Sequence, residues 1–404
     1  MSHFRVLAAI GLLGLAPTVF RPAPLASSEH FLLANDNEFA IGEDTTGTIF
    51  RLHSPHINPN LTPLSTLQTQ VTAGGEAFAE PTVQVLRAGA DTCVFLSNSQ
   101  PNDNAITSFT LSGMSPVGNY NDPEVQDSSF GIALAAHGTF LFAGYGDDNL
   151  LLGYVGVWQI GTDCSLTLLN TYEIGYRIRT LVVTPNGQTL VLSLTPSPYG
   201  QAGAVDSFSI AQNGSLSERG PYTLPSNTII QPVGVDVTKD SKYAIFAIES
   251  KTTFFTAMEV IEVAGDGSLK HPTLFDQGTL GQGLNVAWAS LSPDERFLYV
   301  SDSSRTLTTL AFTENPLNMT FACSTILPGS YYLSGRPSTA LPTGAGSDLY
   351  APEEPVAPGG ANDFVVLATI NSTTGCITQA AGSPFTDGHD GILRSVAPWP
   401  PRPF

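Results

Sequence analysis

One phrase recurs through this chain and limits what it can fold into. It is best expressed as SLSPDERFLYVSDS at residues 290–303: an apolar run, a turn, then a second apolar run. Degenerate copies are RAGADTCVFLSNS from Arg87, LAAHGTFLFAGY from Leu134, VTPNGQTLVLSLT from Val183, VTKDSKYAIFAIE from Val237 and PTGAGSDLYAPEE from Pro342. Aligned on the second run, the copies place Val94, Leu141, Leu190, Ala244, Leu298 and Leu349 in one slot, at steps of 47, 49, 54, 54 and 51 residues. A period near 50 residues is that of propeller blades. Each copy is followed by a third apolar strand, such as AITSFTL, YVGVWQI or MEVIEV, and then by a polar hairpin and a poorer fourth strand, as in NGSLSERGPYTL and DGSLKHPTLF.

Four antiparallel strands repeated seven times predict an all-β fold, a seven-bladed β-propeller. The first unit, FLLAND from Phe31, lacks its innermost strand, while the C-terminus carries a surplus one, GILRSVAPW at residues 391–399. The expected closure pairs that tail with the N-terminal blade, which removes two open sheet edges at once. A β-sandwich or β-helix leaves the matched deficit and surplus unexplained. Composition agrees: 38 glycines and 30 prolines beside 42% hydrophobic residues suit many short strands joined by tight turns.

Thirty-five acidic residues stand against 16 basic ones, a formal net charge of -19, and no Lys/Arg cluster occurs. Nucleic acid and anionic membrane surfaces are therefore poor partners. The start MSHFR, the apolar run VLAAIGLLGLAPTVF and the small residues near Ala23 and Ala26 read as an export signal over residues 1–28. The alternative is a short apolar tail or interfacial anchor. Residues 29–404 then form one propeller domain of a secreted or periplasmic protein, expected to be a monomer with no membrane insertion once the leader is removed.

Export makes disulfides possible for Cys93, Cys164, Cys323 and Cys376, with three connectivities open and buried free thiols as the alternative. Asn60, Asn213, Asn318 and Asn371 head N-x-S/T sequons, usable only in a eukaryotic secretory route and otherwise chance matches in a Ser/Thr-rich chain. His137 falls in a first hairpin turn and is expected to be exposed. His53 and His56 read as solvated, the acidic runs at residues 101–106 and 145–153 as turns, and the three tryptophans as core. No cofactor fingerprint, P-loop, nucleophile elbow or metal motif is present in the sequence, so neither cofactor nor metal is expected.

The phrases SPDERFLYVSDS and TPNGQTLVLSL, with the NGSL and DGSL hairpins, resemble the lactonase-type seven-bladed propellers, which include bacterial 6-phosphogluconolactonase and fungal carboxymuconate cyclase and share YVTN-type blade grammar. The resemblance spans residues 31–399. It implies action on a lactone of a small anionic sugar acid or muconate, in a site at one mouth of the central channel. Lactonase-type members carry histidines in segments resembling P-H-x-V-x-F-x-P-D-G and R-H-x-x-F-x-P-D-G. Here those positions hold Phe130 and Thr180, while Arg179 matches the arginine of the second segment.

Stepping thirteen residues back from each aligned slot gives the loops that lead into the innermost strands. The step reaches Pro81 beside Glu80, Ser128, Arg177, Gln231, Asn285 and Arg336; matching Pro398 to Pro293 adds Asp390 beside His389. The polar members form a candidate ring, the alternative being that loops are polar because they are wet. Within it Arg177, Arg179 and Arg336 suit a carboxylate or phosphate, with Gln231, Asn285 and Asp390 as further binding groups and His389 or Glu80 as general base. Two function classes follow: a lactone hydrolase or cycloisomerase, and a non-catalytic extracellular binding or scaffold propeller.

Overall fold

The computed structural model describes residues 31–37, 44–53, 60–72, 82–98, 105–125, 131–146, 152–195, 203–224, 230–250, 256–276, 286–302, 306–327, 331–333, 338–340, 347–355, 364–386 and 392–399. Among them every regular element is a β-strand, and the strands form seven antiparallel sheets. Blade 1 runs from inside to outside as Ile392–Trp399, Phe31–Asn37, Asp44–His53 and Asn60–Thr72. The C-terminal strand thus closes the ring against the N-terminal one, Leu33 opposite Ala397 and Leu32 opposite Pro398.

Blades 2 to 6 each take their strands in chain order. Their innermost strands are Val83–Ala88, Gly131–His137, Arg177–Val183, Ile230–Val237 and Val286–Leu291. Blade 7 has a divided inner position, Tyr331–Leu333 and Ser338–Ala340, both paired to Ser347–Pro355.

Apolar residues on both faces of a strand are what a propeller needs, because each blade packs against two neighbours. In Thr256–Val263, Met258 and Val260 join the cluster toward blade 6, whereas Ile261 and Val263 join the one toward blade 4. Seven such clusters lie among the described residues, one at each blade interface. That between blades 7 and 1 joins Tyr350, Val365 and Leu367 to Leu32, Phe50 and Val396. All six aligned residues, from Val94 to Leu349, are fully buried.

The first hairpin of blades 4 to 6 is a five-residue connection, and it is built the same way three times. Thr184, Thr238 and Ser292 each receive, on the side-chain oxygen, the backbone N–H that opens the next strand: Thr189, Tyr243 and Phe297. Their hydroxyls donate to Asn186, Asp240 and Asp294. The fourth residue of each turn is left-handed: Gly187 at φ 71°, Ser241 at 63° and Glu295 at 58°. Only glycine adopts this freely. Both side chains reach back to the previous blade, Ser241 Oγ accepting from Asn186 N at 3.0 Å and a Glu295 carboxylate oxygen from Lys239 N. Those bonds offset the backbone cost and couple neighbouring turns.

At Gly187 the absent Cβ leaves room for the His137 ring of blade 3. His137 is therefore half-buried between blades and its pKa is lowered by burial, contrary to the expected exposure.

Both disulfides are present, Cys93–Cys164 and Cys323–Cys376. Each staples adjacent blades, 2 to 3 and 6 to 7. In the third-to-fourth strand turns, Asp163, Asn213 and Asp266 each accept hydrogen bonds on Oδ1 from the N–H and hydroxyl of the serine two residues on. The residue between is Cys164 (φ 67°), Gly214 (83°) or Gly267 (86°). Cys164 thus occupies a glycine slot, and its bond to Cys93 holds it there.

Candidate functional site

The inner strands of blades 4, 5 and 6 share an irregularity. Pairing skips one residue between Ile178 and Thr180, between Pro232 and Gly234, and between Val286 and Trp288. A bulge re-aims the side chain it carries and recurs beside functional sites. The skipped residues are Arg179, Val233 and Ala287, equivalent positions in the repeat. In the closing strand the skip falls between Ser395 and Leu393, so Arg394 holds the same backbone slot in blade 1.

Arg179 is half-buried, and its guanidinium carbon lies 5.5 Å from the centroid of the Trp288 ring, two blades on. Such a contact is worth about 0.5 to 2 kcal/mol, more when desolvated. Gly234 of blade 5 makes the approach possible: a Cβ there would sit 3.2 Å from Trp288 Cε3 and 3.4 Å from its Cα. Trp288 is buried, as expected of core, and stands in the inner strand of blade 6 against Gly234 and Arg179. Trp158 sits in the cluster between blades 2 and 3, also as expected.

Hydrogen bonds between inner strands fix this arrangement. Thr180 Oγ1 donates to Val233 O at 2.8 Å, linking blades 4 and 5. Asp236 accepts from Val237 N and, through Oδ2, from Leu291 N at 2.8 Å, linking blades 5 and 6. One strand further out, Asn35 Nδ2 donates to Thr82 O and Ser97 O, linking blades 1 and 2. The position where lactonase-type propellers carry a histidine is thus used here as a blade tie through Thr180.

Arg177 opens the inner strand of blade 4 opposite Thr195 and is 2% exposed. Gln231 holds the equivalent backbone position in blade 5, opposite Glu249. The thirteen-residue step is therefore sound for these two. Elsewhere the backbone register assigns the slot differently: Gly131 in blade 3, opposite Gly146, Tyr332 in blade 7, opposite Glu354, and Ile392 in blade 1, opposite Asn37. The alignment of Pro398 with Pro293 is corrected by the same register, since Pro398 faces Leu32 as Leu291 faces Leu298. In the blades joined by a first hairpin the cause is hairpin length, and in the closing strand, which has no hairpin, it is the proline alignment. Blades 2 and 3 turn in two residues at Gly89–Ala90 and Gly138–Thr139, whereas blades 4 to 6 use five. Glu80, Phe130, Asn285, Arg336, His389 and Asp390 lie outside the described residues, as do His56 and the acidic runs from Pro101 to Asn104 and Asp147 to Leu151.

Trp288 as the seat of a guanidinium is the residue that sequence reasoning missed. A contact between blades two apart leaves no spacing signal in the chain.

The seven-bladed propeller defines the class by its fold, and the chain is similar in that fold to the lactonase-type propellers. Over 118 residues it is 26% identical to the 6-phosphogluconolactonase of Pectobacterium carotovorum, a match that takes in 29% of this chain and 32% of that enzyme, so the aligned part is about a third of the curated relative's length. The structure of the periplasmic gluconolactonase of Pseudomonas aeruginosa superposes with a TM-score of 0.63 at 16% identity, covering 92% of this chain and 99% of that one. A protein of Lactobacillus plantarum superposes with a TM-score of 0.63 at 16% identity, over 91% and 98% of the two chains. No family model matches the chain.

Proposed function

We propose that this propeller is an exported lactonase-like protein acting on a lactone of a small anionic sugar acid or muconate, opening or forming the ring ester at the channel mouth. The observation that carries the reading is Arg179, bulged out of the blade 4 inner strand onto Trp288 in a fold shared with a gluconolactonase. A guanidinium offers paired planar donors to a carboxylate or phosphate. Arg177 and Arg336 are its proposed companions, with Gln231, Asn285 and Asp390 as further polar contacts. In the opening direction His389 or Glu80 takes a proton from water as its oxygen attacks the lactone carbonyl; the ring C–O bond then breaks and the alkoxide is protonated. In a chain of net charge -19, an anion is held against the overall field, so the contact has to be short-range. Export is supported by the two interblade disulfides, which suit an oxidising compartment.

The second reading is a non-catalytic binding propeller using the same mouth. It is favoured by Thr180, whose hydroxyl is committed to Val233 where the enzymes of this type carry an imidazole. A pH-stat and calorimetric screen of aldonolactones and muconates separates the two. The enzyme reading expects turnover that falls at least about a hundredfold in His389→Ala or Glu80→Gln. It also expects Arg179→Ala to weaken ligand binding by about 1.5 to 3 kcal/mol. Affinity without turnover leaves the binding module, and silence in both assays removes the small-anion reading altogether.

A further inference from the structure

The four sequons scattered through the sequence fall at one kind of place in the fold. Asn213 and Asn371 lie in the turns between the third and fourth strands of blades 4 and 7, Asn318 is the second residue of the outermost strand of blade 6, and Asn60 begins the outermost strand of blade 1. Each is thus at the outer hairpin of its blade. Asn213, Asn318 and Asn371 are exposed. The local structure also orients them. At Asn213 the oxygen Oδ1 accepts from Ser215 N at 3.1 Å and Ser215 Oγ at 2.8 Å. At Asn371 it accepts from Thr373 N at 2.9 Å and Thr374 N at 3.0 Å. A backbone N–H can meet only the oxygen of the amide, so Nδ2 is turned away from the turn. At Asn318 strand alternation does the same work: Met319 is buried in the core between blades 5 and 6, which puts Asn318 and Thr320 together on the outer face.

The hairpins also share a side of the ring. Gly214 packs against Phe140 and Gly375 against Phe297, each the first residue of a second strand. The outer turns therefore lie on the face of the first hairpin turns, opposite the loops that lead into the inner strands.

We infer that Asn213, Asn318 and Asn371 are N-glycosylation sites, placing a patch of glycans on the face opposite the channel mouth and leaving the mouth open. In the transfer, Nδ2 of each asparagine attacks the anomeric carbon of a lipid-diphosphate-linked oligosaccharide. An N–C bond forms, the bond from that carbon to the diphosphate oxygen breaks, the lipid diphosphate leaves with the electron pair, and the amide gives up one proton. The two interblade disulfides suit an oxidising compartment, as that secretory route provides.

The test is expression of the full chain in a eukaryotic secreting host, with intact mass before and after peptide N-glycosidase and mapping of the released peptides. Removal should convert the three asparagines to aspartates. Asn213→Gln, Asn318→Gln and Asn371→Gln should each take away one glycan, and Ser215→Ala should bare Asn213 although the asparagine remains. Secreted protein carrying unmodified amides at these positions would overturn the inference, and so would a chain retained in the host cytosol with every asparagine bare.

Discussion

The arc of blades 4 to 6 and the seam in blade 1 reach the same inner-strand register by opposite routes. In the arc, each inner strand is joined to its partner by a five-residue turn. At the seam no turn exists, and Ile392–Trp399 meets Phe31–Asn37 from the other end of the chain. Yet the pairing skips one residue at the same height in both, at Arg179, Val233 and Ala287 in the arc and at Arg394 in the seam. A register reproduced without the turn cannot be caused by the turn. It follows from packing each blade's two apolar faces against its two neighbours, where slipping a strand by one residue would turn the side chains fitted to one neighbour onto the other.

Breaking the seam should have the largest effect. Deleting residues 392–404 removes Val396 from the cluster shared by blades 7 and 1 and leaves Phe31–Asn37 as an open edge. Stability should fall by several kcal/mol and aggregation should rise, read by calorimetry and light scattering. An unchanged melting temperature would mean that the strand adds nothing to the ring.

The disulfides flank both regions without joining the seam, so Cys93→Ser or Cys323→Ser should cost less than the deletion, at or below the about 2 to 5 kcal/mol typical of small secreted domains. Four thiols titrating in unreduced, denatured protein would contradict the pairing.

Within the arc, burial pushes the carboxyls of Asp206 and Glu259 up to about 7. Glu259 is 1% exposed, and its buried Oε2 has no hydrogen-bond donor. In the unfolded chain these groups ionise near pH 4, so between about pH 4.5 and 7 the unfolded state releases protons that the folded state keeps. This contribution makes stability fall as pH rises through that window. Glu259→Gln should therefore change little at pH 4 and stabilise by up to about 3 kcal/mol at pH 8, since each tenfold change in the ionisation constant on folding is worth about 1.4 kcal/mol. Equal effects at both pH values would reject the assignment.

The smallest expected change sharpens the role of the turns. Glu295→Ala leaves Lys239 N without its carboxylate partner and a non-glycine residue still left-handed, which should cost about 1 to 3 kcal/mol by urea melts. Glu295→Gly relieves the backbone and should cost less. The opposite order would mean that the interblade bond does not offset the strain.

Much of the ring was legible from the phrase itself, because the aligned slot is buried in every blade and tolerates only apolar residues. Closure was legible too, from an N-terminal unit one strand short. The mouth was legible only where hairpin lengths agree: Arg177 and Gln231 fall in register, whereas Tyr332 and Ile392 hold the slots assigned to Arg336 and Asp390. Arg179 on Trp288 joins residues 109 positions apart across an intervening blade, and no spacing rule reports such a contact. The cysteine pairing was hidden for a similar reason, although Cys164 standing where Asn-Gly-Ser and Asp-Gly-Ser turns carry glycine was a visible hint.

Hydrogen exchange along Phe31–Asn37 tests the closed ring most directly. Paired on both sides, to Asp44–His53 and to Ile392–Trp399, its amides should exchange as slowly as those of Thr189–Thr195, the equivalent strand of blade 4. Fast exchange at the amides facing the C-terminal strand, with slow exchange at those facing Asp44–His53, would show an open edge and contradict the closure.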